Sequence, residues 1–197
     1  MEWLGHFQDW TQGLMVSRVG ELVDGKTPDA LFKKFDFVHK WLPSWLRPKV
    51  ERLERYIGYE ESNSSTTGQA TTADMGVAGR ATVMIFDEFS RVPNAFEVRD
   101  NTRDTADCRI FVSTHTGPGT AFHGICTNGF TDKFIMHWTD DPRKNAGMYR
   151  CDVSKNLIVP LDKSYQYPPD FVFQYTAEPL GGWRPGIRAP WYDKESK

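Results

Sequence analysis

Long apolar runs are missing from this sequence, and so is an excess of either charge. No stretch of about 18 consecutive apolar residues occurs, so nothing in it is expected to cross a membrane as a helix. Lys and Arg number 24 against 26 Asp and Glu, a formal charge of −2. The bulk charge therefore carries no footprint for nucleic acid or a membrane surface, although local clusters can still bind polyanions. Cysteine is scarce: Cys108, Cys126 and Cys151 are an odd set without a CxxC pair. That argues against a disulfide framework or a zinc knuckle and fits a reducing cytosol. The opening MEWLGHFQDW has neither the basic n-region nor the apolar h-region of a signal peptide. What is present is ordinary globular composition. At 197 residues, 39% hydrophobic and 14% aromatic, the chain fits one domain with or without an appendage, and disorder is excluded as its default state.

Three regions differ in pattern. Residues 1–59 read as a helical leading segment: Trp3, Phe7, Trp10 and Leu14 recur at three- and four-residue spacing. A second helical stripe, Leu31, Phe32, Phe35, Val38 and Leu42, follows Thr27-Pro28, an N-cap with proline at the first helical position, and Pro43 ends it. Residues 60–79 are rich in Ser, Thr, Gly and Asn and read as a loop or weak edge strand. Short continuous apolar runs then take over. Thr82 to Phe86 and Arg109 to Thr114 read as buried parallel strands, with room between Asn94 and Thr105 for a helical crossover. Phe134 to Trp138, Leu157 to Leu161 and Phe171 to Tyr175 are further strand candidates. Residues 60–164 are thus expected to form an α/β core. Residues 165–197, broken by Pro168-Pro169, Pro179, Gly181-Gly182, Pro185 and Pro190, read as a proline-stiffened linker.

The sharpest chemical signal is Val83-Met84-Ile85-Phe86-Asp87-Glu88, which sets two carboxylates at the carboxyl end of a buried strand. In open α/β sheets that end is where ligands bind. In nucleotide triphosphatases a carboxylate in this position holds Mg²⁺ and a neighbouring one polarises the attacking water. The simpler reading is a strand that ends in acids because it reaches solvent. A second strand ends in Ser113-Thr114-His115-Thr116-Gly117, where hydroxyls and exposed backbone N–H groups can sense a γ-phosphate; a tight turn at Gly117-Pro118-Gly119 is the plain alternative.

These residues carry a resemblance. Six segments, in order, are similar to the large terminase subunit of tailed bacteriophages, the ATP-driven motor that packages DNA into procapsids. They are Ser17-Arg18 with Leu22-Val23-Asp24, Pro28 to Phe32 with Leu42 to Leu46, Gly79-Arg80 ahead of Val83 to Glu88, Ser113 to Gly117 with Gly119 and Phe122, His137-Trp138 with Asp141 to Lys144, and Arg188 with Pro190 to Asp193. The resemblance implies an incomplete parallel sheet of the P-loop triphosphatase (ASCE) type. In it Asp87 would hold Mg²⁺, Glu88 would orient the water that attacks ATP, and Ser113, Thr114, His115, Thr116 and Gly117 would couple hydrolysis to DNA movement. Arg80 would be an arginine finger, although Gly76 to Arg80 keeps only the second of two arginines often found there. Implied partners are double-stranded DNA, the portal protein, the small terminase subunit, and a missing P-loop segment or sister subunits of a ring, all in the host cytoplasm. No segment is taken as a Walker A phosphate loop, although Gly20-Glu21-Leu22-Val23-Asp24-Gly25-Lys26-Thr27 has the Gly-x-x-x-x-Gly-Lys-Ser/Thr spacing. The expectation is therefore an ATPase-domain fragment, running from beyond Walker A to just before an absent nuclease domain, and inactive alone.

Two other classes compete. A Mg²⁺-dependent nuclease would use Asp87, Glu88, Asp140 and Asp141. A non-catalytic assembly piece would bind portal, small subunit or DNA. Arg47, Lys49, Arg52 and Arg55 form a basic cluster near Trp45 and Tyr56 that either touches phosphates or is a solvated helix face.

Overall fold

Gln12–Ser17 is a strand, β1, and it lies inside a six-stranded sheet. The computed structural model describes residues 1–71, 79–152, 155–174 and 186–195. The chain divides into two units, Met1–Thr131 and Asp132–Lys197. The first unit contains α1 (Glu2–Phe7), β1, α2 (Gly20–Asp24), α3 (Leu31–Trp41), β2 (Val50–Leu53), β3 (Tyr56–Tyr59), β4 (Ser64–Ala70), β5 (Ala81–Phe86), α4 (Ala95–Asn101), β6 (Ala106–Phe111) and α5 (Ala121–Thr127). Its strands lie in the order β2-β3-β4-β1-β5-β6. β4, β1, β5 and β6 are parallel to one another, while β2 and β3 form an antiparallel hairpin that pairs antiparallel with β4. The sheet is thus mixed and mostly parallel, and α4 is the crossover anticipated between β5 and β6.

β1 corrects the helical reading of residues 1–59. The apparent stripe from Trp3 to Leu14 belongs to two elements: Trp3 and Phe7 touch within α1 at 5.6 Å, and Leu14 sits on a strand. Between them Trp10 turns the chain at φ 60°. Buried on both sides, β1 sends Val16 to the core of Met84, Phe86, Phe89 and Phe122. Met15 goes to the opposite core, with Val23, Phe32, Phe35 and Ile57. A helix needs a longer apolar face than this four-residue run, whereas a two-sided parallel strand does not.

Of the 60–79 stretch expected as loop or weak edge strand, residues 72–78 lie outside the described residues, and Ser64–Ala70 is instead the interior strand β4, between β3 and β1. Its small hydroxyl residues suit a crowded interior. Ser64 and Thr66 are buried, and Ser64 Oγ accepts the Thr11 N–H at 2.9 Å. A Cβ on Gly68 would stand 2.5 Å from both the Phe32 ring and a Val23 methyl, so α2 and α3 pack against bare backbone there. The second stripe does form α3, but its cap is Ala30, with no side-chain hydrogen bond, rather than Thr27. The basic cluster is not a helix face either. Arg52 lies on β2 and turns inward, bonding Asp24 at 2.7 and 3.0 Å and Asp36 at 3.0 Å, with its guanidinium 4.7 Å from the Phe32 ring centre.

In the second unit, β7 (Tyr149–Asp152) pairs antiparallel with β8 (Leu157–Pro160) and with β9 (Ile187–Arg188), and α6 (Pro190–Glu195) follows. β8 is one of the expected strands. Phe134 to Trp138 is irregular and leads into a 3₁₀ turn at Trp138–Asp140, while Phe171 to Gln174 is not a strand. The described part of 165–197 is not a bare linker, because Phe173 lies 5.0 Å and Phe171 6.2 Å from the buried ring of Tyr149. Tyr175, Pro179, Gly181, Gly182 and Pro185 lie outside the described residues. Burial raises the Tyr149 hydroxyl pKa, and its 2.6 Å bond to Asp193 adds to this. Asp193 also takes Arg188 Nε at 2.6 Å. Among the described residues no helix is long and apolar enough to cross a membrane.

Candidate functional site

The carboxyl ends of β1, β5 and β6 meet at one rim of the sheet. Pairing continues past β5: the Asp87 N–H donates to Val16 O at 2.8 Å, and the Val112 N–H donates to Phe86 O at 2.8 Å. Both neighbours therefore hold the strand end rigidly before the chain leaves it. Glu88 then adopts the left-handed conformation, φ 52° and ψ 37°, and opens a 3₁₀ turn at Phe89–Arg91. A residue with a Cβ disfavours that geometry by about 1 kcal/mol. Packing enforces it here, because Phe89 is fully buried against Phe86 and Phe111, 5.5 and 4.6 Å away.

The two carboxylates differ. Asp87 is half-buried, and its carboxylate has no partner among the described residues. Glu88 faces Arg18, the residue just past β1, with Nε 3.1 Å from Oε2. The contact is ionic and lies off the hydrogen-bonding direction, so the buried Oε2 keeps unused acceptor capacity. Ser17 Oγ, at the end of β1 and fully buried, has no hydrogen-bond partner among the described residues. Arg18 thus joins the carboxylates, and no local pattern marks it, because the helical spacing of Trp3, Phe7, Trp10 and Leu14 masks the end of β1.

Ser113 lies just beyond β6, where its Oγ accepts the Ser90 N–H at 3.0 Å and donates to Ser90 Oγ at 2.7 Å. The loop after β6 is thereby tied to the turn that follows Glu88. Thr114, His115 and Thr116 are exposed, and Gly117 at φ 114° and Gly119 at φ 85° turn the chain toward α5. Thr120 caps α5 by accepting the His123 N–H at 3.1 Å. Of the 113–117 loop, Ser113 is thus joined to the turn that follows Asp87 and Glu88.

Arg80 is not part of this group. It precedes β5, six residues of strand away, which is roughly 20 Å. There it lines a separate cleft of about 320 Å³ with Trp10, Gln12, Thr82, Asp104 and Asp107. Gly76, Val77 and Ala78 lie outside the described residues. Asp140 and Asp141 belong to the second unit. Asp141 takes the Arg143 N–H at 3.0 Å and its guanidinium at 3.1 Å, and these bonds hold its carboxyl below the ordinary value. Among the described residues no three His, Cys, Asp or Glu side chains converge as a metal cage.

No family model matches the sequence, and no curated protein does. Several solved structures show partial likeness. One is the large terminase of a thermophilic bacteriophage, at TM-score 0.43 and 13% identity, covering 61% of this chain and 29% of that one. The same terminase in complex with ADP gives 0.38 and 14%, over 55% and 27%. An arginine-to-alanine variant of the large-terminase ATPase domain of a Thermus phage gives 0.32 and 14%, over 64% and 56%. The chain spans less than a third of the length of the first two. Likeness of this degree is partial, and nothing about activity follows from it.

Proposed function

We propose that this chain is part of an ATP-driven motor of the phage large-terminase kind, supplying the carboxylates of hydrolysis and the loop that couples it to packaging of double-stranded DNA. The observation that carries this reading is the placement of Asp87 and Glu88 at the carboxyl end of β5, with Ser113 tied to the turn between them and β6. Asp87 is the residue to hold Mg²⁺. A single free carboxylate suits an ion whose remaining ligands are phosphate and water oxygens, and suits no stand-alone metal centre. Bound with ATP, the ion neutralises charge on the phosphates. Glu88 orients the attacking water and takes its proton, using the acceptor capacity that Arg18 leaves open. Movement of the 113–117 loop passes to Glu88 through the Ser113–Ser90 bonds.

β6 is an edge of the sheet, and a strand that carries a glycine-rich phosphate loop would pair there and bring its loop to the same rim. Arg80, at the far end of β5, would serve the site of a sister subunit rather than its own. Portal protein, small terminase subunit and DNA are the partners this reading carries, in the host cytoplasm.

The experiment supplies a P-loop-bearing segment from a related terminase and measures ATP hydrolysis. The parent mixture should turn over, and Glu88→Gln should retain ATP binding while losing roughly 10²–10⁴ in rate. Hydrolysis by Glu88→Gln at the parental rate would overturn the assignment. Cleavage of DNA with Mn²⁺ in the absence of nucleotide would replace it by the nuclease reading, and portal binding without nucleotide affinity by the assembly reading.

A further inference from the structure

α3 buries Phe32 and Phe35 and holds His39 2.9 Å from Glu2 of α1 on one side, so its other side faces solvent. At 100° per residue that outer side is centred on Phe37 and Trp41. Both are large apolar rings left 62% and 70% exposed, 6.1 Å apart and tilted by 49°. Around them stand Lys33, Lys34 and Lys40, all exposed. Lys34 and Lys40 have no partner among the described residues, whereas Asp36, the only carboxylate of α3, binds Arg52 and stands 3.6 Å from Lys33. Past the helix end Trp45 is 83% exposed, and the Arg47 guanidinium folds back onto the carbonyls of Lys40 and Leu42, 2.8 Å from each. In a chain with a net charge of −2, this face is cationic and aromatic together.

We infer that the outer face of α3 binds single-stranded nucleic acid, bases stacking on Phe37 and Trp41 and phosphates meeting Lys34, Lys40 and Arg47. Exposed rings set among cations are the usual platform for unpaired strands, since every base offers a π-face. A duplex keeps its bases stacked inside, so it would use the lysines and leave the rings idle. An anionic membrane fits less well. Lys34, Phe37 and Trp41 recur at i, i+3 and i+7 on one stripe, so an ammonium lies in line with the rings. Burial of the rings 5–10 Å into the acyl boundary would drag that charge with them. The tilt between the rings presents two separate faces, one for each of two bases. The site lies away from the carboxylate rim and stands whether or not the motor reading does.

Fluorescence anisotropy of the whole chain with a labelled oligothymidylate of about 15 nucleotides tests this. The oligonucleotide should bind at low salt, and Phe37→Ala and Trp41→Ala should each weaken it roughly tenfold. Lys34→Gln with Lys40→Gln should reduce the salt slope by roughly 1.4. A duplex of equal length should bind at least tenfold more weakly and ignore removal of the rings. All four side chains face solvent, and an unchanged melting temperature checks that each variant is folded. Absence of binding, ring variants that bind like the parent, or a duplex bound as tightly would each overturn the proposal. So would ring-dependent capture by phosphatidylserine vesicles without oligonucleotide binding.

Discussion

Glu88 and Arg52 both owe their conformations to distant neighbours. Glu88 is held left-handed at a strand end, a conformation that glycine adopts without strain. Replacement by Gly should therefore leave the protein about 1 kcal/mol more stable than replacement by Ala, both having lost the contact with Arg18. Equal melting of the two variants would show that the backbone at 88 is unstrained. Arg52 fastens α2 and α3 to β2 through Asp24 and Asp36. Burial by itself would raise the Asp24 carboxyl, but the Arg52 guanidinium and the Arg55 backbone N–H outweigh it and hold the group below its ordinary value. The sign follows: this stabilisation is complete above the unfolded value near 3.9 and drains away as pH falls through the lower folded value. Arg52→Ala should cost on the order of 2 kcal/mol at neutral pH. In urea titrations from pH 7 down to 2 the difference between parent and variant should shrink; a constant difference would mean that Arg52 acts by packing alone.

Among the elements, β4 is the most exposed to error in a reading by pattern. Its residues are Ser, Thr, Gly, Gln and Ala, none of which announces an interior strand. Its place is fixed by what crowds it, since Val23 and Phe32 close over Gly68. Gly68→Ala should thus destabilise by about 1–3 kcal/mol through overpacking, where Ala in an uncrowded strand would be neutral or better. Chemical denaturation checks this, and a stabilised Gly68→Ala protein would mean that the helices stand further off. β5 was legible because a continuous β-branched and apolar run is the mark of a parallel strand buried on both faces. β6 instead starts before the run at Arg109, ends at Phe111 and is a partly exposed edge, not the buried strand expected over Arg109 to Thr114. β1 was not legible, because Leu14-Met15-Val16 is short and a competing helical spacing overlaps it.

For the whole molecule, the open edge at β6 is the main consequence of the topology. Ile110 and Val112 are 44% and 49% exposed, and Cys108 is exposed beside them, on the face away from the Phe86 core. A parallel sheet ordinarily has both faces covered, and an unpaired edge, here with Asp107 and Arg109 as its charges, invites another strand. The purified chain should self-associate as its concentration rises, and Ile110→Lys should return it to monomer in sedimentation velocity. A parent that stays monomeric at high concentration would show that the edge is protected by other means.

The sequence by itself determined the character of β5, the carboxylate pair at its end, the hydroxyl loop after β6 and the helical nature of α3. Each of these is written in neighbouring residues, and local patterns suffice for them. The tertiary structure alone decided that residues 12–17 and 64–70 are interior strands and that Arg18 stands against Glu88. It also decided that the aromatic residues of 165–174 pack on Tyr149. The reason is physical: burial, strand order and the pairing of distant charges arise from contacts across the sheet. A seven-residue strand of Ser, Thr, Gly, Gln and Ala acquires its identity only when its neighbours close around it.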